Sequence, residues 1–250
     1  MQPVFRALEI AVATAVKVSG TRITFQGLEH IPQAGGAVIA INHTSYLDFM
    51  PAALAAYHRG RRMRFMIKAE MQQVKVVDFL IKHTGTIPVD RRAGADAYQL
   101  AVVALRAGEV VGVYPEATIS RSFELKEFKS GAARMALAAQ VPIVPLIVWG
   151  AHRLWTKDHP RASLMRSKMP ITVAVGPAVA PAGDPAALDA ALRAEMAELL
   201  QRVQQDYPHP KGAYWVPRRM GGGAPTPAEA KVLDEEELAE RARKRADGGR

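Results

Sequence analysis

The sequence predicts an α/β fold: a mixed, mainly parallel central sheet flanked by helices, with an N-terminal amphipathic helix. Three observations predict it. Short apolar runs alternate along the chain with longer segments of helical period. The run Ala37-Val38-Ile39-Ala40-Ile41, opened by Gly35-Gly36, reads as a buried strand leading into a helix. Helix punctuation falls between the runs: Gly108 closes one helix as a C-cap, and Asp184-Pro185 opens another with proline at its first position.

Residues 4–18 read as a helix with Phe5, Leu8, Val12 and Val16 on one stripe and Arg6, Glu9 and Lys17 on another. Fifteen residues reach about 22 Å, short of the roughly 30 Å hydrocarbon core. The segment therefore reads either as an interfacial helix or as one packed on its own domain, and it lacks a signal-peptide cleavage pattern. Thr21 to Gln26 alternates like a strand, and Leu28 to Gly36 is a loop. After the Ala37–Ile41 strand, Leu47, Met50, Leu54 and Tyr57 mark a helix. Arg59 to Arg64 is a basic turn, followed by the apolar piece Phe65-Met66-Ile67 ending at Lys68. Met71 to Lys82 is helical, Thr86 to Val89 a short strand, Ala93 to Ala107 a helix, and Val110 to Tyr114 a strand. Lys129 to Gln140 is helical, Ile143 to Trp149 and Ile171 to Val175 are strands, and the helix from Asp184 runs to about Asp206. Met220 to Pro225 marks a linker. Pro227 to Arg245 is charged and Ala-rich, a loose helix or disordered, with nothing suggesting chemistry. The expected organisation is a helix at 1–20, one domain at 21–217 and a charged tail at 218–250.

The chain has 250 residues, no cysteine and a net charge of +9. Disulfides, thiolate metal sites and a thiol nucleophile are excluded, and a reducing compartment fits. Residues 218–250 carry eight basic and seven acidic side chains, a net of +1, so +8 belongs to the body. An anionic partner is expected.

The stretch Asn42-His43-Thr44-Ser45-Tyr46-Leu47-Asp48 joins the first buried strand to its helix. His43 and Asp48 lie five apart, about 140° on a regular helix, so their side chains meet only if His43 stands outside it. Asp48 would then accept from Nδ1–H and leave Nε2 as a general base. Another reading of the same residues is a capping box, with Ser45 as N-cap and Asp48 at N3. Two more loops carry polar residues after strands, Gly85 to Arg92 and Tyr114 to Arg121. Ligands in open α/β sheets collect beyond strand C-terminal ends, so these loops are expected to converge.

Taken in order, the blocks are His43-x4-Asp48, Lys68 followed by Gly85 to Arg91, Tyr114-Pro115-Glu116-Ala117-Thr118-Ile119-Ser120, Phe128 to Gly131, and Val141 to Pro145. Together, over about residues 22–180, they resemble the glycerolipid acyltransferase family. The resemblance implies transfer of a fatty acyl group from acyl-CoA or acyl-ACP to a lysophospholipid, first of all 1-acylglycerol-3-phosphate, with no cofactor or metal. It implies His43 as base and Asp48 as its orienting partner, with Glu116, Arg91, Lys68, Lys129, Thr118 and Arg121 as candidates for the acceptor site. It places the protein in phospholipid biosynthesis at the cytoplasmic face of a membrane, peripheral or monotopic, on an anionic surface. Backbone N–H groups at the start of the helix after Ser45 are expected to steady the oxyanion, and Asp48→Asn is expected to favour the wrong tautomer.

This chain departs from the family pattern at Ala117, in place of Gly, and at Ile119, in place of an Arg that meets the acceptor. Arg121, two residues on, is a candidate to substitute, with a different geometry expected. A proline usual between Lys68 and Gly85 is also missing. A non-phosphorylated or glycosylated lipid acceptor is the alternative. A basic lipid- or nucleic-acid-binding protein without catalysis would explain the charge and the cluster Arg59, Arg61, Arg62, Arg64, but the aromatic interleaving of single-strand binders is missing and no nucleic-acid partner is expected. Neither Gly-x-Ser-x-Gly nor His-Glu-x-x-His occurs. His58, His83, His152 and His159 read as surface residues, and Trp149, Trp155 and Trp215 as core or interface.

Overall fold

A computed structural model describes residues 3–73, 75–90, 94–162 and 168–247. Seven strands form one sheet: β1 (Arg22–Gln26), β2 (Ala37–Ile41), β3 (Met63–Lys68), β4 (Ile87–Val89), β5 (Val110–Val113), β6 (Ile143–Trp149) and β7 (Pro170–Val175), in the order β1-β7-β6-β2-β5-β3-β4. Every pairing is parallel except β6 with β7, so the expected mixed, mainly parallel sheet is what forms. The helices are α1 (Pro3–Ser19), α2 (Phe49–His58), α3 (Lys75–Thr84), α4 (Gly94–Arg106), α5 (Gly131–Ala139), α6 (Pro185–Gln205) and α7 (Pro227–Asp247).

All five residues of β2 are fully buried, and the pleat shares them between two cores. Val38 and Ala40 join the core beneath α4, α5 and α6, with Leu105, Ala136 and Leu192. Ala37, Ile39 and Ile41 join the core beneath α2, with Ala52, Ala55 and Ala56. A strand covered on both faces has no polar face, which is why the run is continuous rather than alternating. Gly36 opens it because a Cβ there would stand 2.1 Å from the Leu105 carbonyl oxygen.

Several boundaries differ from expectation. Helix α2 begins at Phe49, with Asp48 as N-cap, so residues 45–48 form a turn rather than a first helical turn. The basic turn after α2 is shorter than expected, because β3 takes in Met63 and Arg64. Segment 227–247 is a formed helix lying against the body, not a loose tail. On α1, Phe5, Leu8, Glu9 and Lys17 lie outside the described side chains. Ile10 and Val18 are exposed, and the helix rests against α3. Among the described residues, no helix is long and apolar enough to cross a membrane.

Candidate active site

Strands β2 and β5 end side by side, with Ala40 opposite Val113, so the loops that follow them open on one edge of the sheet. At Asn42 the chain leaves the sheet. The side-chain amide completes the ladder in place of a peptide: Asn42 Nδ2 donates to the Val148 carbonyl at 3.1 Å, and Oδ1 accepts from Val148 N–H at 2.7 Å. The next backbone unit is thereby released from β6. His43 N–H donates to Glu116 Oε1 at 2.9 Å, and the His43 carbonyl accepts from Ser120 N–H at 2.7 Å.

The turn then brings the Asp48 carboxylate back to the imidazole. His43 Nδ1 stands 3.3 Å from Asp48 Oδ2, at the long end of a hydrogen bond. The same oxygen accepts from Thr44 N–H at 2.8 Å and Ser45 N–H at 2.7 Å. The five-residue separation therefore works because residues 44–48 are a turn closed by the aspartate itself. Burial pushes the Asp48 carboxyl above its ordinary value, against the hydrogen bonds from His43, Ser45 and Thr44. Asp48 is fully buried, whereas the His43 side chain keeps 19% of its surface open. The imidazole lies flat on the Tyr114 ring, centroids 4.0 Å apart and planes 21° apart. Burial, and after it the Asp48 charge, hold the Tyr114 phenol protonated, with its pKa well above the ordinary value.

A third loop braces the turn from outside. Gly150, at φ 102°, swings the chain out of β6 where a Cβ would meet the Pro170 carbonyl. Ser45 Oγ donates to the carbonyls of Trp155 at 2.7 Å and Ala151 at 3.1 Å, Tyr46 N–H donates to the Trp155 carbonyl, and Thr156 Oγ1 donates to the Thr44 carbonyl at 2.7 Å. Leu47 N–H donates to Ser45 Oγ. The amides of Thr44, Ser45, Tyr46 and Leu47 are thus all engaged, so none of these four is left for an oxyanion.

His43 faces a cavity of about 1200 Å³, its wall including Met50, Leu54, Phe65, Tyr114 and Ile119. Lys68, Thr118 and Lys129 stand on this wall, as do Arg62, Lys157 and Arg241. Ile119, where the family pattern has Arg, is 5% exposed. Thr118 Oγ1 accepts from Lys126 Nζ at 2.6 Å. Arg91 lies outside the described residues.

Two expected acceptor residues are engaged elsewhere. Glu116 is buried, with Oε1 on the His43 amide and Oε2 on the Lys126 amide at 3.0 Å, so it joins two site loops instead of facing the cavity. Burial raises its carboxyl to about 7 against those bonds. Arg121 is buried, and its guanidinium meets Asp158, Asp234 and Glu237. Three carboxylates take up its donors, so it does not substitute for the missing arginine. His152, expected at the surface, is fully buried among Trp149, Phe123 and Trp215, and desolvation lowers its pKa to about 3. Among the described residues, no group of three or more His, Cys, Asp or Glu is placed to hold a metal ion.

A family model described as Acyltransferase matches residues 22–149. The chain is 25% identical over 157 residues to a 1-acyl-sn-glycerol-3-phosphate acyltransferase of Borreliella burgdorferi, covering 62% of each chain. It is 29% identical over 123 residues to the Bacillus subtilis protein of that name, covering 49% of this chain and 60% of that one. It therefore spans less than two thirds of these relatives. A crystal structure of the 1-acyl-sn-glycerophosphate acyltransferase PlsC from Thermotoga maritima shares the fold, with a TM-score of 0.65 over 84% of this chain and 86% of that one at 19% identity.

Proposed function

The chain belongs to the acyltransferase family, and from that premise we propose that it acylates the free hydroxyl of a 1-acylglycerol 3-phosphate, using an acyl thioester carried by CoA or an acyl carrier protein. The observation that carries this reading is His43, backed by buried Asp48 and opening onto a large, mainly apolar cavity.

An alcohol is a poor nucleophile until its proton leaves as the new bond forms. With Nδ1–H directed at Asp48, the basic Nε2 is left for the acceptor hydroxyl. The alcohol oxygen bonds to the thioester carbonyl carbon as its proton passes to Nε2, and the buried carboxylate stabilises the resulting imidazolium. Collapse breaks the carbon–sulfur bond, and the imidazolium returns the proton to the departing thiolate. The products are a diacylated phosphate ester and a free thiol. No acyl-enzyme forms, consistent with a chain that has no cysteine. Tyr114, stacked on the ring and protonated, fixes the imidazole plane. The apolar side chains of the cavity suit an acyl chain, and its lysines and arginines suit an anionic headgroup.

The acceptor lives in a bilayer, so the protein works at an anionic membrane surface, on the cytoplasmic side, as a peripheral or monotopic protein. Its +9 charge and the exposed Tyr46, Phe49 and Tyr57 support that placement. The second reading, a lipid acceptor without a phosphate, draws on Ile119 and on the engaged Arg121.

The test is acyl transfer from one labelled donor to a panel of lysolipids with and without the phosphate monoester, for wild type and His43→Ala. Wild type should prefer the phosphate ester, and folded His43→Ala should lose about 10³-fold or more in kcat. Full transfer by folded His43→Ala removes the general base, and acceptance of neutral alcohols alone removes the phosphorylated acceptor.

A further inference from the structure

We propose that Arg241, carried into the site by α7, is the cation that recognises the acceptor's phosphate, in place of the arginine missing at position 119. This rests on the acyl-transfer reading above.

Helix α7 is highly charged, and most of its side chains face solvent. Ala230, Asp234, Glu237 and Arg241 recur at spacings of four, three and four, a stripe within roughly 60° of arc. Along that stripe the helix meets the body. Ala230 is buried, Asp234 pairs with Arg121, Lys126 and Lys157, and Glu237 pairs with Arg121 and Lys157. Val232, Leu233 and Leu238 are exposed, so charge rather than apolar packing holds the helix in place.

The stripe ends at the cavity. Arg241 is on its wall, together with Lys157, Tyr46 and His43. Lys157 follows Trp155, whose carbonyl anchors the His43 turn, and the Trp155 and Tyr46 rings lie 4.7 Å apart. The Tyr46 phenol feels the charges of Glu237 and Arg241, so this end of α7 lies near Tyr46 on the cavity wall.

Of the four cations in the charge cluster where α7 docks, Arg121, Lys126, Lys157 and Arg241, Arg241 is the one placed to meet a ligand. Arg121 is surrounded by three carboxylates and is not on the cavity wall. Lys126 bonds Thr118 and Asp234. Lys157 is on the wall, but its ammonium is shared by Asp234 and Glu237, with 12% of the side chain open. Arg241 meets Glu237 through Nη2 and keeps 53% of its side chain open. A guanidinium has five donors in a planar fork, so one carboxylate contact leaves an edge suited to a phosphate monoester. Arg121 thus secures the helix, and the helix brings Arg241 to the cavity.

The test is equilibrium binding in nonionic detergent micelles, without acyl donor, of a 1-acylglycerol 3-phosphate and of the 1-acylglycerol with the same chain. The full-length protein is used as wild type, Arg241→Gln and Arg241→Lys, with hydrogen exchange over residues 227–244 reporting whether α7 stays docked. Wild type should favour the phosphate ester. Arg241→Gln should reduce that preference about 5- to 10-fold while leaving the neutral lipid's affinity unchanged, and Arg241→Lys should keep part of it. An unchanged preference in both variants overturns the proposal. So does a loss in both that accompanies loss of α7 protection, because the role would then be structural. The two readings fail separately. A preference that tracks Arg241 without acyl transfer to either lipid removes the enzymatic reading alone. Transfer to the phosphate ester with a preference indifferent to Arg241 removes this one alone.

Discussion

Replacing Asp48 with Asn should remove one charge and little else. Oδ2 carries every hydrogen bond of this carboxylate, from Thr44 N–H, Ser45 N–H and His43 Nδ1, while Oδ1 is buried with no hydrogen-bond partner. Two backbone donors at 2.7 and 2.8 Å decide the orientation of an incoming amide. Its oxygen takes the Oδ2 place and its NH2 the empty one, because the reverse would set donor against donor. Nδ1 of His43 then still faces an acceptor, and the tautomer survives, contrary to what the sequence suggested. The loss is the charge opposite the imidazolium. At roughly 4 Å and an effective dielectric of about 20, that interaction is worth about 4 kcal/mol. The retained neutral hydrogen bond returns about 1 kcal/mol. The remaining ~3 kcal/mol corresponds to a fall in kcat of about 10²-fold. KM for either substrate should stay near wild type. Stability at pH 8 should not fall: the folded pKa of Asp48 is raised, so its contribution is present at low pH and lost as pH rises. The assays are steady-state kinetics, urea unfolding, and long-range ¹H–¹⁵N correlation spectra of the histidine rings. Protonation at Nε2 with a loss of 10⁴-fold or more would refute the pinning by the backbone amides. An unchanged rate would refute the use of the charge.

Two other substitutions test the buried titratable groups. Glu116, raised from 4.5 to about 7, contributes stability that is complete below pH 4.5 and lost as pH rises through 7, about 3 kcal/mol in all. Glu116→Gln abolishes that slope but sets its NH2 against one of the two backbone donors. It should therefore be less stable than wild type at pH 5, by about 1–3 kcal/mol, and close to it at pH 8; a gap independent of pH in urea unfolding contradicts this. His152 has its folded pKa lowered from 6.5 to about 3, so its contribution is whole above pH 6.5 and declines as pH falls toward 3. At pH 5 the deficit is about 2 kcal/mol. His152→Phe, among Trp149, Phe123 and Trp215, should remove it, and equal acid sensitivity of the two proteins would exclude His152 as the cause.

The central strands were readable because coverage on both faces demands continuous apolar runs, as in β2, β5 and β6, while edge strand β1 showed itself by alternation. The start of α2 was not. A Ser-x-x-Asp pattern fits a capping box and a turn equally well, and the difference lies in Asp48 accepting two amides together with the imidazole. Glu116 stood out in the sequence, but its engagement with the His43 and Lys126 amides depends on how loops 73 and 10 residues apart along the chain come together. Arg121 looked available because its partner Asp234 lies 113 residues further on. His152 had no local signal, since aromatic rings from distant segments bury it. The stripe Ala230, Asp234, Glu237, Arg241 did not stand out among the other charges of its segment, and it has meaning only through the basic cluster of Arg121, Lys126 and Lys157 that it meets.

Asn42 has a consequence for how a sheet can end. A strand that stops leaves its neighbour with an orphaned donor and acceptor, and Val148 would be left so, deep in the protein. One carboxamide, mimicking the peptide that has departed, satisfies both. The main chain is then free to peel away a residue early without exposing a raw edge, and the first residue past the seam is the histidine. Aspartate lacks the donor and glutamine overshoots by a methylene, so neither could close the seam this way.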